Sequence, residues 1–207
     1  MRWFLALTAA VAGERLAELA WSRRHERAMA RRGGAVVREP WYAAMVALHA
    51  GTLVAAPIEA ALRSRRGARS PAARRAGTLA GIAGLAGLGA ATALRIWTLR
   101  TLGESWSTRV THFPRGGRRV VTGGPYRFIR HPNYLAVILE LASLPLAGGA
   151  VATALAATAL NALVLSRRIP LEERELAADP AWRAALLPRP RLVPRVGPRL
   201  APRLGSR

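Results

Sequence analysis

The sequence predicts an all-α fold, a polytopic membrane bundle of about five transmembrane helices with a C-terminal helical hairpin. Hydrophobic residues make up 51% of the 207 residues, yet the formal net charge is +21. A soluble domain would spread this charge evenly, whereas here it stands in blocks between apolar runs. Charged blocks that alternate with apolar runs are typical of membrane proteins.

The composition also excludes several classes of function. All 32 basic residues are arginine, which together with the abundant alanine and glycine partly reflects a biased genome. No basic block is interleaved with aromatic residues, so we do not expect nucleic-acid binding. Cysteine is absent, which rules out disulfides, a thiol nucleophile and a cysteine-built metal site. The N-terminus lacks a signal-peptide pattern and is predicted to be a retained helix.

Residues 3–21 form the first predicted helix, which is apolar except for Glu14, Arg15 and Glu18. Glu14 and Glu18 are four residues apart and therefore share one helical face. Charged groups at this depth normally face a bundle interior or a water-filled cavity. The alternative is that they mark the interfacial end of the helix, with Arg15 paired to a glutamate. The sequence leaves both interpretations open.

Two further spans are predicted at residues 41–62 and 77–97. The first begins with the aromatic pair Trp41 and Tyr42, which is typical of the membrane interface. The second is rich in glycine, a composition that suits close helix packing within a bilayer. Its glycines are Gly77, Gly81, Gly84, Gly87 and Gly89.

Arginine-rich connectors separate these spans and bear on the topology. Residues 22–40 contain six arginines, residues 63–75 contain six and no acid, and residues 98–133 contain seven. The positive-inside rule places such segments in the cytosol. Five spans with a cytosolic C-terminus nevertheless put the 63–75 connector outside, and the sequence does not resolve this conflict.

Residues 134–166 form an apolar run of 33 positions, which is more than one span requires. Pro145, Gly148 and Gly149 lie near its middle, where a tight turn fits. We therefore predict a hairpin of two short helices, residues 134–146 and 150–166. Polar motifs flank the run on both sides, so the hairpin brings both motifs to one membrane face.

The remaining segments complete the predicted organisation. Residues 108–113 and 118–122 are predicted to pair as short strands across a turn. The membrane domain is predicted to cover residues 1–187, with its functional part at about 100–176. Residues 188–207 repeat Pro-Arg-Leu units that cannot form a packed core, so we predict a disordered tail that associates with anionic lipid.

The first polar motif, residues 130–134, reads RHPNY. Pro132 fits the first turn of a helix, which places His131 near the N-cap, where free N–H groups attract anions. Tyr134 lies three residues after His131 and therefore near the same face. Arg130 can fork onto a carboxylate.

The second polar motif, residues 167–176, reads RRIPLEEREL. Pro170 is predicted to begin a helix, with Glu172, Glu173 and Glu175 in its first turn. Acidic residues there also suit the helix dipole without any ligand. Glu172 and Glu173 point about 100° apart on a helix, so one can aim at a given ligand atom while the other supports it.

The two motifs together offer arginine for a carboxylate, glutamate for an ammonium or hydroxyls, and aromatic and proline surface for an adenine. This inventory suits S-adenosylmethionine without singling it out. No G-x-G-x-x-G follows a predicted strand, so a soluble Rossmann-type site is not indicated. A metal site is not expected, because His131 with two adjacent carboxylates and no second histidine is a poor zinc set.

The stretch GPYRFIRHPNYLAVILE, followed at hairpin distance by RRIPLEEREL, resembles the isoprenylcysteine carboxyl methyltransferase family of integral membrane enzymes. The wider group includes phospholipid N-methyltransferases, which share the RHPxY and EE motifs. The chain looks most like a bacterial branch that is often associated with type III polyketide synthases and methylates alkylpyrones or alkylresorcinols. Three features suggest that branch: ERLAEL at residues 14–19, Leu102-Gly103 with Trp106, and Asn161 before Arg168-Ile169. The chain departs from the family after the EE motif, where residues 177–182 lead into a Pro/Arg tail with few aromatic residues.

The resemblance implies a multi-span methyltransferase of the bacterial plasma membrane, with S-adenosylmethionine bound on the cytosolic side and a lipophilic acceptor entering from the bilayer. It favours O-methylation of a carboxyl or hydroxyl and a functional link to a type III polyketide synthase. The cofactor-site residues carried over from the family are Pro125, Tyr126, Arg130, His131, Pro132, Tyr134, Asn161, Glu172 and Glu173. The candidate catalytic residues are Glu172, Glu173, Arg168 and His131, since a phenolic acceptor needs a general base and a carboxylate does not.

Two other interpretations stand beside this one. Phospholipid amine N-methylation requires room for a bulky charged headgroup. A small-residue helical subunit that is not an enzyme would use the two motifs only as a charged interface. Binding of S-adenosylmethionine separates the enzymes from the subunit.

Overall fold

The computed structural model describes residues 1–66, 70–113 and 119–194, and most of these residues are α-helical. The predicted all-α class is therefore confirmed. A short helix, α6 (Pro180–Leu186), follows five long ones. The long helices are α1 (Arg2–Arg31), α2 (Trp41–Arg66), α3 (Pro71–Leu102), α4 (Pro132–Ala147) and α5 (Val151–Ala177).

The long helices alternate between two ends of the bundle. Phe4, at the start of α1, lies against Gly148 in the α4–α5 turn. Glu59, near the end of α2, accepts hydrogen bonds from the backbone at the start of α5. At the opposite end, β1 (Ala35–Val36) pairs antiparallel with β2 (Thr111–His112). Both polar motifs lie at this second end, which is termed the strand end; the other is termed the turn end.

The predicted hairpin is present, but its second helix is longer than expected. The turn between α4 and α5 is closed by N–H donation from Gly148 to Pro145 and from Gly149 to Leu146. Gly149 has a φ of 75°, which favours glycine. Helix α5 then continues without a break to Ala177.

The prediction that Pro170 begins a new helix is wrong, because Pro170 lies inside α5. An internal proline removes one backbone hydrogen bond and normally kinks or ends a helix. Here the residues around it, Arg168, Ile169 and Glu173, are all buried against other elements. Tertiary packing therefore holds the helix together through the proline, and Glu172 and Glu173 lie near the end of α5 rather than at a helix start.

Helices α3 and α4 approach closely along part of the glycine-rich face of α3. A Cβ on Gly84 would lie 2.4 Å from the backbone nitrogen of Ala147, and one on Gly87 would lie 2.3 Å from Ser143 Oγ. Gly77 and Gly89 face open space instead. Two of the five predicted packing glycines thus form the tightest part of the contact.

The predicted pairing of residues 108–113 with 118–122 is not what the structure has. Strand β2 does lie in the first of these segments, but its partner is β1, with Ala35 opposite His112 and Val36 opposite Thr111. Val37 N–H adds a hydrogen bond to the Val110 carbonyl. Residues 119–122 form no strand, and residues 114–118 lie outside the described part. The connector after α1 reaches β2 because α1 and α3 end at the same end of the bundle.

The segment from residue 188 onward, predicted to be a disordered tail, is packed where it is described. The carbonyls of Pro190 and Arg191 accept hydrogen bonds from the N–H groups of Arg130 and His131. Leu192 packs against the cluster that includes Tyr134. Residues 195–207 of the tail lie outside the described part of the chain.

Two helices in the described residues are long and apolar enough to cross a membrane, Trp41–Arg65 and Pro71–Ser105, while Pro132–Ala147 is apolar but shorter. Large apolar side chains on these helices and on α5 face outward, among them Val54, Leu79 and Leu155. A broad apolar outer surface of this kind suits contact with lipid. The crossing of the bilayer by all five long helices remains a prediction.

Candidate functional site

A cavity of about 420 Å³ lies inside the bundle and extends from the strand end toward the middle of the helices. Side chains from both polar motifs form its wall at the strand end, together with the loop after α3 and with α6. The members from the two motifs are Arg130, His131, Asn133, Tyr134, Arg168, Glu172 and Leu176. The hairpin therefore brings the two motifs together around one space.

Glu172 and Tyr134 are directly joined at this wall. The Tyr134 hydroxyl donates a hydrogen bond to Glu172 Oε2, and the rings of Tyr134 and His131 lie 5.4 Å apart. Tyr126 also lines the cavity, where burial and the negative charge of Glu172 raise the pKa of its hydroxyl. Tyr126 consequently stays protonated at neutral pH and presents a neutral aromatic surface.

Glu173 points away from the cavity into a cluster of basic groups. Its Oε1 accepts a hydrogen bond from His131 Nε2 at 3.0 Å and lies 3.2 Å from Arg130 Nη1. Its Oε2 lies 2.8 Å from Arg191 Nη2 in the C-terminal segment. Burial alone would raise the pKa of Glu173, but the hydrogen bonds from His131 and Arg191 and the charges of His131 and Arg130 outweigh it and lower the pKa to about 2. Glu173 thus ties the first motif, the second motif and the tail together.

Arg168 enters the cavity from α5 and is held by several partners. Its Nη2 donates to Glu39 Oε1 at 3.0 Å and to the Thr108 carbonyl. Its guanidinium carbon lies 5.7 Å from the ring centroids of both Tyr42 and Tyr134, within cation–π range. Burial raises the pKa of Glu39, and the Arg168 charge offsets only part of that effect. The ion pair between Arg168 and Glu39 connects the loop before α2 to the second motif.

Helix α6 covers the strand end of the cavity. Asp179 caps α6 by accepting hydrogen bonds from the N–H groups of Ala181 and Trp182. Trp182 and Leu186 pack with Leu176, and both also line the cavity. The segment after the EE motif thus forms a cover here although it holds few aromatic residues.

Four of the sequence-predicted site residues do not line this cavity. Pro125 and Pro132 are fully buried supports of the first motif, and Glu173 lies in the basic cluster. Asn161 faces a separate groove of about 340 Å³ between α4, α5 and the tail, next to Leu165 and Leu192. The structure therefore separates Asn161 from the other predicted cofactor residues.

Several lining or supporting residues escaped the sequence reasoning. Glu39 supports Arg168, while Tyr42, Trp106 and Asn133 line the cavity. Glu39 is one of only two acids in its arginine-rich connector. An acid that stands out among arginines in this way is the one sequence feature that could have indicated its pairing with Arg168. Tyr42 and Trp106 look like ordinary interface aromatics in sequence, because nothing local indicates that their segments fold over α5.

Two polar groups of the first motif are buried at the cavity wall without a hydrogen-bond partner in the described part of the chain. They are the N–H donor Arg130 Nε and the acceptor Asn133 Oδ1. Buried polar groups are usually paired, and the described residues supply no partner for these two. These groups are of the kinds that could hold S-adenosylmethionine. Arg130 suits its carboxylate, Glu172 and Asn133 suit its ammonium or hydroxyls, and Tyr126 and Trp182 offer aromatic surface to its adenine.

Comparison with known proteins gives two findings. Residues 84–178 match the isoprenylcysteine carboxyl methyltransferase (ICMT) family, a range that contains both polar motifs and runs from Gly84 in α3 to the end of α5. The chain is also 30% identical over 173 residues to the uncharacterized protein YpbQ of Bacillus subtilis (strain 168). That similarity covers 84% of this chain and 96% of YpbQ.

Proposed function

Because this chain belongs to the isoprenylcysteine carboxyl methyltransferase family, we propose that it is an integral membrane methyltransferase that uses S-adenosylmethionine and a lipophilic acceptor. One observation carries the proposal: a single cavity is lined by Tyr134 from the first motif, by Arg168 and Glu172 from the second, and by apolar side chains of α1 and α2. The family resemblance covers both motifs, so the proposal rests on the shared residues as well as on the shared space.

The cofactor half of the site is assigned to the strand end of the cavity. Arg130 and Asn133 offer the unpaired donor and acceptor there, and Glu172 offers a carboxylate fixed by the Tyr134 hydroxyl. Trp182 supplies apolar surface on the covering helix. S-adenosylmethionine, when bound, supplies an electrophilic methyl group on a sulfonium. The chain's contribution is to hold the two reactants in line, which accounts for much of the acceleration in such reactions.

The acceptor half is assigned to the deeper part of the same cavity. Leu16 of α1 and Val46 of α2 line the cavity, yet they keep 68% and 40% of their surface exposed, more than an enclosed wall would leave. The wall between α1 and α2 therefore reaches the lipid-facing surface. An acceptor with an alkyl or prenyl chain can enter there without passing through water.

Arg168 and Glu172 are the residues that we assign to the acceptor oxygen. Arg168 is 3% exposed and carries its charge into the cavity, where it would stabilise a carboxylate or a phenolate. Glu172 is the candidate general base for a hydroxyl acceptor, because its carboxylate lines the cavity and has a second oxygen besides the Oε2 that accepts the Tyr134 hydroxyl. Glu173 is a positioning residue in this scheme, since it holds His131 and Arg130 and does not line the cavity.

The finer assignment is O-methylation of an alkylpyrone or alkylresorcinol at the cytosolic face of the bacterial plasma membrane. It rests on the resemblance in residues 14–19, 102–106 and 161–169 and links the enzyme to a type III polyketide synthase that makes such acceptors. The buried guanidinium of Arg168 suits an acidic oxygen acceptor better than a cationic phospholipid amine, because like charges repel. A phospholipid amine is therefore the contrasting substrate in the test.

The test uses purified protein in nanodiscs and measures S-adenosylmethionine binding and labelled methyl transfer. Alkylresorcinol, alkylpyrone, prenylcysteine and phosphatidylethanolamine are offered in parallel. We expect cofactor binding in the wild type and label in one of the oxygen acceptors. Glu172→Gln is expected to weaken cofactor binding by about tenfold, since a charge-assisted hydrogen bond contributes roughly 1.5–3 kcal/mol.

Glu175→Gln is the matched control, because Glu175 lies on the same helix but outside the cavity, 2.9 Å from His112 Nδ1. It is expected to bind S-adenosylmethionine like the wild type. Absence of cofactor binding in the wild type would favour the subunit interpretation. Label in phosphatidylethanolamine alone would replace O-methylation with N-methylation.

A further inference from the structure

Four charged side chains form a buried network where α1, α3 and α4 meet. Arg15 Nη1 lies 2.8 Å from Glu18 Oε2 and 3.6 Å from Glu140 Oε2. Arg95 Nη1 lies 3.4 Å from Glu18 Oε2, and Arg95 Nη2 lies 2.6 Å from Glu140 Oε2. The sequence leaves two interpretations open for the charges of the first helix, and the structure has part of each. Arg15 and Glu18 face the bundle interior, while Arg15 also pairs with Glu18 and with the partly exposed Glu14.

The network belongs to the same cavity as the proposed methyl-transfer site but lies deeper in the bundle. Arg15, Glu18 and Arg95 line that cavity. Their partner Glu140 follows Tyr134 by six positions on α4, which is about 9 Å along a helix. The rest of the wall at this depth holds one further polar side chain, His49, among the apolar side chains of Leu19, Val46, Ala50 and Leu53. His49 Nδ1 is hydrogen-bonded to the Met45 carbonyl, so the charged groups of the acceptor half all lie on one edge of a largely apolar space.

The unpaired groups on this edge indicate what chemistry it can bind. Arg15 Nε and Arg95 Nε are donors, and Glu18 Oε1 is an acceptor; in the described part of the chain all three are buried without a hydrogen-bond partner. Glu18, Glu140 and the partly exposed Glu14, which lies 3.0 Å from Arg15 Nη2, already neutralise the two arginines. Neither a free positive charge nor a free negative charge is therefore offered to a fully charged ligand group. A hydroxyl both donates and accepts and adds no charge, so it matches the mixed set.

We propose that this network is a second polar subsite of the acceptor pocket, and that it binds an uncharged hydroxyl on the acceptor distinct from the oxygen that is methylated. The inference rests on the proposed function, because it assigns the deep half of the cavity to the acceptor. It makes Arg15, Glu18 and Arg95 specificity-determining residues. The enzyme then prefers acceptors with two oxygen functions on the head group to acceptors with one.

The test compares two probes that differ by one hydroxyl, 5-pentylresorcinol and 3-pentylphenol. Equilibrium binding of each to the full chain in nanodiscs is measured without S-adenosylmethionine, so the result does not depend on methyl transfer. We expect the wild type to bind the resorcinol at least tenfold more tightly, because a site built to hydrogen-bond a hydroxyl strongly rejects the analogue that lacks it. Arg95→Gln and Glu18→Gln are expected to bring the ratio of the two affinities close to one.

Two further variants keep the outcome decisive. Arg95→Gln combined with Glu140→Gln removes one charge of each sign, so it preserves the balance if the single variants misfold. Thr98→Val, on the same helix with a hydroxyl that donates to the Leu94 carbonyl, is the control and is expected to keep the wild-type ratio. Equal binding of the two probes by the wild type, or an unchanged ratio in the double variant, would overturn the inference.

Loss of S-adenosylmethionine binding in the double variant but not in Thr98→Val would also overturn it, since the network would then be a scaffold for the whole bundle. Failure of the proposed function has a different signature. In that case the wild type would discriminate between the probes yet bind no S-adenosylmethionine and transfer no methyl group to any acceptor.

Discussion

Glu172 and Glu173 are neighbours in sequence, yet their carboxylates lie in different surroundings. Glu172 faces the cavity and accepts the Tyr134 hydroxyl. Glu173 faces His131, Arg130 and Arg191. The angle of about 100° between adjacent helical positions separates the two directions. One carboxylate is therefore available to ligands, and the other holds the architecture of the site.

The environment of Glu173 predicts a pH-dependent contribution to stability. Its pKa is lowered from the ordinary value of 4.5 to about 2 in the folded protein. A lowered pKa in the folded state stabilises the protein at pH values above the unfolded pKa, and this stabilisation is lost as the pH falls from about 4.5 toward 2. The thermal midpoint of the wild type in detergent is expected to fall across this window.

Glu173→Gln is expected to lower the midpoint at neutral pH and to flatten its dependence on pH between about 5 and 2. The loss at neutral pH is expected to be roughly 1.5–3 kcal/mol, as for hydrogen bonds to charged groups. Glu175→Gln serves as control, since Glu175 contacts only His112 among the described pairings. A Glu173→Gln variant with the same pH profile as the wild type would contradict the assigned network.

For single residues, the sequence could predict side chains that share one cavity but not the hydrogen-bond partners that hold them. Arg130, His131, Tyr134, Arg168 and Glu172 were all candidates and all line one cavity. Their partners were not predictable, because Glu39 and Arg191 come from segments whose path across the second motif depends on tertiary packing. Asn161 shows the converse: a residue suggested by resemblance alone faces a different groove.

The contact between α3 and α4 positions the first motif relative to the rest of the bundle. It depends on Gly84 and Gly87, whose missing side chains let the backbone of α4 approach near Ser143 and Ala147. Small residues at such a contact permit close packing where no hydrophobic effect operates between helices in lipid. The sequence predicted the glycine-rich face, but five glycines fit the pattern and the structure uses two of them for the closest approach.

Gly84→Ala is therefore expected to destabilise the protein. Its Cβ would meet backbone atoms of Leu146 and Ala147 at 2.8 and 2.4 Å, so the two helices must separate, at a cost of about 1–3 kcal/mol. Gly89→Ala is the matched control on the same helix, since nothing lies within 4 Å of its Cβ position. It is expected to be neutral or slightly stabilising, because alanine favours a helix over glycine by about 1 kcal/mol. Equal thermal midpoints for the two variants in detergent would contradict this account.

Helix α5 shows why local signals set the limits of an element poorly. Pro170 and the acids after it predicted a new helix start, and the hairpin length predicted a short second helix. Both inferences rest on the conformational preference of nearby residues alone. In the structure, the packing of the buried residues Arg168, Ile169 and Glu173 keeps α5 continuous. Propensity is a weak prior when tertiary contacts are strong on both sides of a breaker.

At the scale of the whole molecule, the two ends of the bundle differ in charge and in content. Among the described residues, the strand end holds segments 22–40, 98–113 and 119–133, with eleven arginines, together with both motifs and residues 188–194. The turn end holds residues 63–66 and 70–75, with five arginines, and the short α4–α5 turn. The overall excess of arginine at the strand end favours its cytosolic location. This orientation is the one that the proposed function requires, because S-adenosylmethionine is made in the cytosol.

The absence of cysteine makes this topology directly testable with single-cysteine variants. Ser64 and Ala152 are exposed at the turn end, and Ala178 is exposed at the strand end. If all five long helices cross the bilayer with the strand end inside, a membrane-impermeant maleimide labels Ser64→Cys and Ala152→Cys in intact bacterial cells. Ala178→Cys is expected to react only after the cells are permeabilised, because the bilayer separates it from the reagent.

Label on Ala178→Cys alone would reverse the orientation, and the arginines of the 63–75 connector would then obey the positive-inside rule. Glu59 joins the end of α2 to the start of α5 in the folded bundle, so Ser64→Cys and Ala152→Cys are expected to react alike. Label on Ser64→Cys without label on Ala152→Cys would contradict a hairpin that crosses the membrane.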